Sequence, residues 1–414
     1  MPTASISLPH APPMPNYRDW PTELRGTGNA FSALYIHIPF CTYKCDYCDF
    51  YSLAGHQDKF GSYLGALEWQ MQQEVGFFGP IAPDTIFIGG GTPTLLPPPF
   101  LQRLMQMIAR YCNLSHLTEF TVESNPNTFD AQRAAVLADA GVNRLSFGAQ
   151  SFQKSELVML NRDHDPQSVE RALTLARQAG ITNLNIDLIY AIPGQTLESL
   201  TENLSRAVAL GTPHLSCYGL MYEPNTPMTA RAQRGLVKRT DEELELEMMR
   251  MVAEHLRRAG YERYEISNWA KPGHACRHNL HYWNARNHVA WGVSASGHCD
   301  GVRWKYVSSL QRFCDAMLNG RLPLVEMEQL SPPIRAAELA VLQLRLASGV
   351  DLAGFEARTG LPAGDKLAGV IQKYQNHGML DGLGASRGLM VLTDAGIAIS
   401  DTIFADVFAA LSVP

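Results

Sequence analysis

The sequence has no long hydrophobic run and no strong excess of charge of either sign. No stretch approaches the roughly 18 uninterrupted apolar residues that a membrane-spanning helix requires, and the N-terminus lacks the basic-then-apolar pattern of a secretory signal. The formal net charge of −6 over 414 residues is too small to indicate a surface for nucleic acid. We therefore expect a cytoplasmic protein with no membrane-spanning segment and no nucleic-acid partner.

A disulfide framework is absent as well. Five of the eight cysteines are scattered along the chain, whereas Cys41, Cys45 and Cys48 lie within one short loop. This distribution is typical of a reducing compartment with one metal site. No fourth cysteine stands nearby, and Phe50 occupies the second position after Cys48. Because three thiols do not complete the four-thiolate shell of a usual iron–sulfur cluster or structural zinc, one metal position should stay open.

The cysteine spacing is compatible with two kinds of metal site. Spacings of four and three residues can bring three sulfurs onto three corners of one cubane [4Fe–4S] cluster, which leaves the fourth iron to a non-protein ligand. The alternative is a zinc ion whose shell is completed by His37 or an aspartate. Three thiols without metal are least favoured, because exposed free thiols oxidise.

Strand-like and helix-like segments alternate from Ala33 onward. The strand candidates are 33–38, 85–89, 119–123, 143–148, 183–188 and 214–220, and the helix candidates between them are 58–77, 99–111, 130–140, 166–179 and 197–210. Six strand–helix units in succession predict a parallel sheet with right-handed crossovers. The predicted fold is therefore α/β, a partial (β/α)6 barrel.

Alternation within these strands predicts which side chains point into the barrel. Between Asn183 and Leu188, the leucines and Ile186 share one face, while Asn185 and Asp187 share the other. The same parity places further polar or small residues inside: Tyr35, His37, Thr121, Glu123, Ser146, Gly148 and Gln150. Those near the strand ends reach the carboxyl rim, where barrels keep their active sites.

Two regions flank the barrel, which we assign to residues 31–226. The proline-rich residues 1–30 predict a mobile leader. Residues 227–325 interrupt the strand–helix rhythm with a helix at 241–259 and a histidine- and aromatic-rich segment at 274–283. We expect this second region to extend the barrel and to cover its mouth.

Residues 326–414 are predicted to form a winged-helix-like domain. Helix candidates precede a small hairpin and a last helix, in the order 334–347, 352–359, 363–377, strands at 378–380 and 389–392, and 394–410. Basic residues are sparse on the second and third helices. An architectural or partner-docking role is therefore favoured over DNA binding.

The CxxxCxxC motif after a strand resembles the radical S-adenosylmethionine (SAM) superfamily. In that superfamily the amine and carboxylate of SAM chelate the open iron, and electron transfer from the cluster yields a 5′-deoxyadenosyl radical. The turn at 89–93 resembles the GGE-type motif, in which backbone without side chains lets SAM come close. Five segments in order match the oxygen-independent coproporphyrinogen III oxidases and their relatives: 35–41, 89–93, 144–152, 185–190 and 292–296.

The resemblance implies a [4Fe–4S] cluster on the three clustered cysteines, with SAM at the open iron. The implied SAM-binding residues are Tyr35, Tyr47, Gly90, Gly91, Thr92, Glu123, Gln150, Arg162 and Asp187. Strand parity independently places Glu123, Gln150 and Asp187 in the lumen. The alternative for Glu123 and Asp187 is that they only satisfy each other or nearby backbone.

Within this family, the chain is similar to the heme chaperone branch. True oxidases carry a fourth cysteine where this chain has Phe50, and residues 278–283 match the HNxxYW signature of the heme-binding branch. An imidazole beside aromatic rings can supply an axial iron ligand and flat walls for a porphyrin, so His278 is implied as a heme ligand. His281 and Cys276 stay candidates, and without the resemblance a histidine packed in an aromatic cluster would be favoured.

The resemblance implies a protein that binds heme and passes it to an unidentified acceptor protein, without coproporphyrinogen oxidase activity. One alternative is oxidative decarboxylation of coproporphyrinogen III by the deoxyadenosyl radical, and another is a different radical reaction such as methyl transfer. One departure from the branch is the histidine after the small-residue run, which is shifted by one position to His298. No role is assigned to it.

Overall fold

The computed structural model describes residues 20–382, 384 and 387–412. The chain begins its sheet with β1 (Ala33–Ile38), and a short pair of strands, β2 (Phe40–Cys41) and β3 (Leu53–Ala54), follows. The other central strands are β4 (Thr85–Gly90), β5 (Glu119–Ser124), β6 (Arg144–Gln150), β7 (Asn183–Tyr190) and β8 (His214–Gly219). Starting from β1, each of these strands pairs with the next one in chain order, and every pair is parallel. The predicted α/β fold and its six strands are confirmed.

Helices fill the connections between the central strands. They are α1 (Phe60–Phe78), α2 (Pro98–Tyr111), α3 (Ala131–Asp139), α4 (Lys154–Met159), α5 (Gln167–Gln178) and α6 (Leu197–Ala209). The apolar faces of strands and helices share one core, in which Leu184, Ile186 and Leu188 are buried. No helix among the described residues is long and apolar enough to cross a membrane. The predicted helix positions between the strands are confirmed to within about two residues.

The strands between residues 262 and 329 extend the sheet at both edges, and the last of them crosses the predicted domain boundary at residue 325. Beyond β8 lie the antiparallel strands β9 (Glu262–Glu265) and β10 (Asn268–Ala270). On the other side β11 (His288–Trp291) pairs in parallel with β1, and antiparallel β12 (Ser296–Cys299), β13 (Val302–Tyr306) and β14 (Leu324–Gln329) complete a 12-stranded sheet. The helices of residues 227–325 are α7 (Pro227–Gln233), α8 (Glu242–Arg258), α9 (Arg277–Trp283) and α10 (Leu310–Leu318).

The prediction that this region covers the mouth is wrong for α9, and α7 lies beside the cysteine loop without lining the cavity at the mouth. Helix α7 lies beside the cysteine loop, where Arg231 pairs with Asp46 at 2.7 Å. Helix α9 lies at the opposite end, because β10 runs antiparallel to β8 and returns the chain to the amino ends of the strands. There His278 contacts Thr85, the first residue of β4.

The C-terminal domain, residues 332–412, has a core of its own. Its helices are α11 (Pro332–Leu344), α12 (Leu352–Thr359) and α13 (Ala363–Asn376), followed by Asp394–Ala398 and Ser400–Ser412. The predicted hairpin is wrong in part, because β16 (Leu389–Met390) pairs with β15 (Val350–Asp351), while Leu380 makes only a single bridge to Leu392. Two-residue strands carry too little pattern to predict their partners. The three predicted helices are present, and the winged-helix outline stays a prediction.

Residues 20–30 do not belong to a mobile leader. Trp20 is 2% exposed, and its ring packs against Phe77, Phe78 and Trp304. Leu24 is buried in the same core. Two apolar residues without a periodic run give no recognisable pattern, so the sequence alone did not indicate this packing. Residues 1–19, the rest of the predicted leader, lie outside the described residues.

Candidate functional site

A cavity of about 550 Å3 lies at the carboxyl ends of the central strands. The predicted cluster ligands and, apart from Tyr35, the predicted SAM residues all line it: Cys41, Cys45, Cys48, Tyr47, Gly90, Gly91, Thr92, Glu123, Gln150, Arg162 and Asp187. Tyr35 lies outside this lining, with its hydroxyl 3.1 Å from His37 Nδ1. Folding therefore gathers residues from all parts of the barrel around the cysteine loop.

Asp46 anchors the cysteine loop to later parts of the chain. Its backbone N–H donates to the carbonyl of Leu160 (3.3 Å), and its own carbonyl accepts the N–H of Met228 (2.8 Å). Its carboxylate accepts a hydrogen bond from Asn161 Nδ2 (3.0 Å) and pairs with Arg231 (2.7 Å). Contacts within the protein thus shape the loop that carries the three thiols.

The three thiols do not converge as a single zinc ion would require. Among the residues that the structure describes, no three His, Cys, Asp or Glu side chains converge on one metal position. One zinc would hold its sulfurs about 3.8 Å apart, because Zn–S bonds are about 2.3 Å long. In a cubane each thiolate binds its own iron, which requires a wider spread. His37 is also engaged, since Nδ1 lies 3.1 Å from the Tyr35 hydroxyl and Nε2 lies 2.8 Å from the Tyr51 carbonyl.

Burial and hydrogen bonding act in opposite directions on the thiols. Burial raises the pKa of the Cys48 thiol to about 11 and also raises the pKa of Cys41. Thr92 Oγ1 donates to Cys41 Sγ (3.7 Å), and Arg162 Nη1 donates to Cys45 Sγ (3.6 Å). Burial thus disfavours the thiolate forms of Cys41 and Cys48 before metal binds, and metal binding releases protons from thiols that it deprotonates. The two donors stabilise sulfur charge once thiolates form.

The glycine turn after β4 is required by the packing of the protein itself. Gly90 has φ 102°, and a Cβ there would come within 2.4 Å of the His37 ring. A Cβ on Gly91 would lie 2.7 Å from the carbonyl oxygen of Phe40 and 2.8 Å from that of Ile38. The turn thus locks β4 against the chain that leads into the cysteine loop. Close approach of SAM is not needed to explain these glycines.

Two half-buried carboxyl groups line the cavity. Glu123 Oε2 accepts the N–H of Gly90 (3.1 Å), and burial, together with the nearby charge of Asp187, raises the pKa of Glu123 to about 7. Burial also raises the pKa of Asp187, partly offset by hydrogen bonds from Ser216 and Asn185. Each carboxyl group is bonded to partners of its own. Two neighbouring acids in a partly closed cavity suit a cationic ligand such as an amine.

A column of hydrogen bonds runs down the lumen from Asp187. Asn185 Nδ2 donates to Asp187 Oδ1 (2.7 Å), and Asn185 Oδ1 lies 2.6 Å from His214 Nδ1. Because Asn185 Oδ1 can only accept, His214 Nδ1 donates, and His214 Nε2 accepts from the hydroxyl of Tyr264 (2.9 Å). Asn279 Nδ2 on α9 lies 3.5 Å from the same hydroxyl. These residues, which we call the lumen column, fill the barrel between its two ends.

His278 lies at the far end, enclosed and hydrogen-bonded. It is 1% exposed, with Nδ1 2.9 Å from Thr85 Oγ1 and Nε2 3.0 Å from the Tyr282 hydroxyl. The Phe87 ring packs against it at 5.2 Å. Glu119 holds the start of α9 by accepting the N–H of His278 (3.0 Å). In this conformation neither ring nitrogen is free to bind iron, so the predicted role of His278 as a heme ligand stays a prediction.

The two alternative heme ligands are partnered too. His281 Nδ1 lies 3.0 Å from Ser32 Oγ, and Cys276 is fully buried with its thiol 3.3 Å from Glu119 Oε1. Burial raises the pKa of Cys276 to about 12. His298 accepts the N–H of Gly301 at 3.2 Å, which gives it a structural role.

The sequence analysis missed the rim that follows β8. Tyr218, Leu220, Met221 and Glu223 all line the cavity. Met221 is 66% exposed and Phe50 on the cysteine loop is 64% exposed, so the rim is apolar and open. The rule that barrel sites use the carboxyl ends of all strands could have identified these residues, because β8 itself was predicted.

Comparison with known proteins places the chain in a family. Residues 35–207 match the radical SAM superfamily, and residues 330–399 match the HemN C-terminal domain. Heme chaperone HemW of Bacillus subtilis is 34% identical over 371 residues, which cover 89% of this chain and 97% of that one. Heme chaperone HemW of Mycobacterium tuberculosis is 32% identical over 397 residues, covering 94% and 98%.

A solved structure shows the same fold. Coproporphyrinogen III oxidase (HemN) from Escherichia coli superposes with a TM-score of 0.81 and 23% sequence identity, covering 92% of this chain and 91% of that one. At that identity the likeness concerns the fold alone. The full-length matches to HemW proteins are the more specific finding. The chain belongs to the heme chaperone HemW family, within the radical SAM superfamily.

Proposed function

We propose that the protein is a heme chaperone, which binds heme and passes it to an acceptor protein. The family relatives named heme chaperones support this, and so does Phe50 at the position of the fourth cysteine expected in an oxidase. We propose that the chain is cytoplasmic and that it meets an unidentified heme-acceptor protein directly. The small net charge of −6 gives no basis for a nucleic-acid partner.

The observation that carries this proposal is the separation of the two candidate sites. His278 contacts Thr85 at the start of β4, whereas Gly90 at the end of β4 lines the cavity at the mouth. Five residue steps along a strand span about 17 Å. The lumen column occupies the space between. A porphyrin on His278 would be out of reach of a radical formed at the mouth, which suits a carrier better than a decarboxylating enzyme.

The mouth is proposed to hold a [4Fe–4S] cluster with SAM at its open iron. Such a cluster supplies one-electron cleavage of the sulfonium when both are bound. In this chain Cys41, Cys45 and Cys48 would hold the cluster. Glu123 and Asp187 would present two carboxyl groups to the amine of SAM, and Arg162 places its positive charge beside Cys45.

A side-by-side anaerobic incubation tests the function. The reconstituted protein is mixed with heme in one vessel and with coproporphyrinogen III, SAM and a reductant in the other. We expect heme to be bound and then transferred to an added heme-free globin, which reports transfer by its absorbance. We expect coproporphyrinogen III to stay unchanged. Steady formation of protoporphyrinogen would replace the chaperone proposal by the oxidase.

Single substitutions identify the heme ligand. We expect His278→Ala to weaken heme binding about tenfold, which is the loss of about 1.4 kcal/mol. His281→Ala and Cys276→Ala should leave the affinity near the parental value, because both side chains are bonded to other groups of the protein. Absorbance titration with heme measures all three. If His278→Ala binds heme like the parent, His278 is not the ligand, although the chaperone function would survive.

A further inference from the structure

The C-terminal domain contacts the end of α9 at residues 283–285, which we call the α9 exit. Arg358 on α12 donates through Nη1 to the carbonyl oxygen of Asn284 (2.8 Å) and through Nη2 to that of Ala285 (3.1 Å). The guanidinium group of Arg345 lies 4.5 Å from the centre of the Trp283 ring. Three consecutive residues at the end of α9 are thus contacted by the C-terminal domain.

Heme binding by His278 requires a different arrangement of α9. A ring nitrogen must present its lone pair to iron, yet Thr85 and Tyr282 engage both nitrogens, and the side chain is 1% exposed. One of the surfaces that enclose α9 must therefore move. The candidates are the amino end of the barrel and the C-terminal domain.

The barrel side of α9 is well bonded. Glu119 accepts hydrogen bonds from the Cys276 thiol, from the N–H of Arg277 (2.9 Å) and from the N–H of His278 (3.0 Å). Buried Arg144 lies close enough to lower the pKa of Cys276, although burial outweighs it. Parting α9 from this surface would leave a buried carboxylate without its partners, which is strongly unfavourable.

The side of α9 that faces the C-terminal domain is held by the two Arg358 hydrogen bonds and by one from Gln343 Nε2 to Asn284 Oδ1 (3.4 Å), but it also carries unsatisfied polar groups. Four buried polar atoms there have no hydrogen-bond partner among the described residues: Trp283 Nε1, Gln343 Oε1, Arg345 Nε and Glu265 Oε2. Glu265 and Arg345 form only an ion pair at 3.6 Å. A cavity of about 500 Å3 lies beside Asn284, lined also by Gln343, Leu346 and Leu389. Opening this interface gives these groups access to water, which offsets part of the cost of breaking the Arg358 and Gln343 hydrogen bonds.

We propose that the C-terminal domain is a gate for heme, and that heme enters through the cleft between α9 and this domain. Release of Arg358 from Asn284 and Ala285 frees the last turn of α9, which carries Tyr282. When the Tyr282 hydroxyl leaves His278 Nε2, that nitrogen is free to bind iron, while Glu119 keeps the first turn of α9 in place. Trp283 and Leu346 supply apolar walls beside the entering porphyrin. The proposal rests on the proposed heme-binding function. Arg358 is a positioning residue, since it acts through the backbone of the α9 exit.

The substitution Arg358→Gln tests the gate. It removes the paired donors to Asn284 and Ala285 without introducing an apolar group. In the full-length protein, without heme, we expect backbone amides of residues 277–285 to exchange about tenfold faster, while the amides of β4 and β5 keep their rates. With heme added, we expect association about tenfold faster, because more of the protein is already open.

Lys373→Gln is the matched control. It removes one positive charge and one ion pair, with Asp406, from the same domain but away from α9. We expect parental exchange and parental heme association. The gate proposal is wrong if the backbone amides of Arg358→Gln exchange at parental rates and the variant binds heme like the parent. It is also wrong if the faster amide exchange spreads evenly over both domains. If the parent itself binds no heme, the chaperone proposal fails, and the exchange measurement still decides whether Arg358 holds α9 closed.

Discussion

The two ends of the barrel are built differently, although the same strands form both. At the carboxyl end an open cavity of about 550 Å3 is lined by thiols, carboxyl groups and glycines, with Phe50 and Met221 exposed on its rim. At the amino end His278 is enclosed, and both of its nitrogens are hydrogen-bonded. The first end is shaped to receive ligands as it stands, whereas the second must change conformation first.

The difference extends to charge. At the mouth, burial and the nearby charge of Asp187 raise the pKa of Glu123 to about 7, so this carboxyl group titrates near neutral pH. Burial holds the pKa of His278 well below its usual value, so the amino end presents a neutral imidazole. A neutral imidazole is the form that binds metals. Three experiments test this difference between the two ends of the barrel, beginning with the largest expected effect.

The largest effect is expected from removing the thiols at the mouth. Replacing Cys41, Cys45 and Cys48 together by Ala should abolish cluster binding, because the three thiols are the cysteines that line the cavity. Iron and sulfide analysis after reconstitution measures the loss. Heme affinity should change less than about twofold, since the lumen column separates the ends. A cluster that persists in this variant would refute the assigned ligands, and a large loss of heme affinity would refute the separation.

A smaller effect is expected from pH acting on Glu123. Because the folded-state pKa is raised from 4.5 to about 7, the folded protein holds this proton more tightly than the unfolded chain. Stability from this group is present below about pH 4.5 and is lost as pH rises through about 7. Between these limits the loss is about 3 kcal/mol. We expect Glu123→Gln to remove this slope in the cluster-free protein.

Denaturant unfolding at several pH values measures that slope. The gain in stability of Glu123→Gln over the parent should grow from about pH 5 to about pH 8. The control is Ser124→Ala, which changes a side chain in the cavity lining that does not ionise and should therefore give a difference independent of pH. A constant difference for Glu123→Gln would mean that its carboxyl group ionises as in the unfolded chain.

The smallest effect is expected from interrupting the lumen column. Tyr264→Phe removes the hydroxyl between His214 and Asn279 and should lower the free energy of unfolding by about 1 kcal/mol. Cluster content should stay unchanged. Tyr222→Phe is the control, because the buried Tyr222 hydroxyl has no hydrogen-bond partner among the described residues. Equal stability changes in the two variants would show that the column contributes nothing beyond packing.

Much of the barrel and its mouth could be predicted from the sequence. Alternation in a strand directly determines which side chains face the lumen, so Glu123, Gln150 and Asp187 were placed correctly beside the cavity. The cysteine loop followed from the spacing of three thiols after an apolar strand. Both inferences depend on residues that are close in sequence.

The placement of α9 could not be predicted in this way. It depends on β10 pairing antiparallel with β8, a contact across about fifty residues that leaves no periodic mark in the sequence. Trp20 was missed because a single buried aromatic residue has no pattern at all. The pairing of β15 with β16 was missed because two-residue strands pair through backbone groups that every residue carries.

The anchoring of Asp46 has a consequence for biosynthesis. The loop that bears the thiols is held by Leu160, Asn161, Met228 and Arg231, all made long after the cysteines themselves. A ribosome must therefore translate past residue 231 before the loop can take its final shape. Iron and sulfide can bind to the completely folded site only after more than half of the polypeptide has emerged. Maturation of the metal centre is thus a late event, ordered by the chain's own contacts.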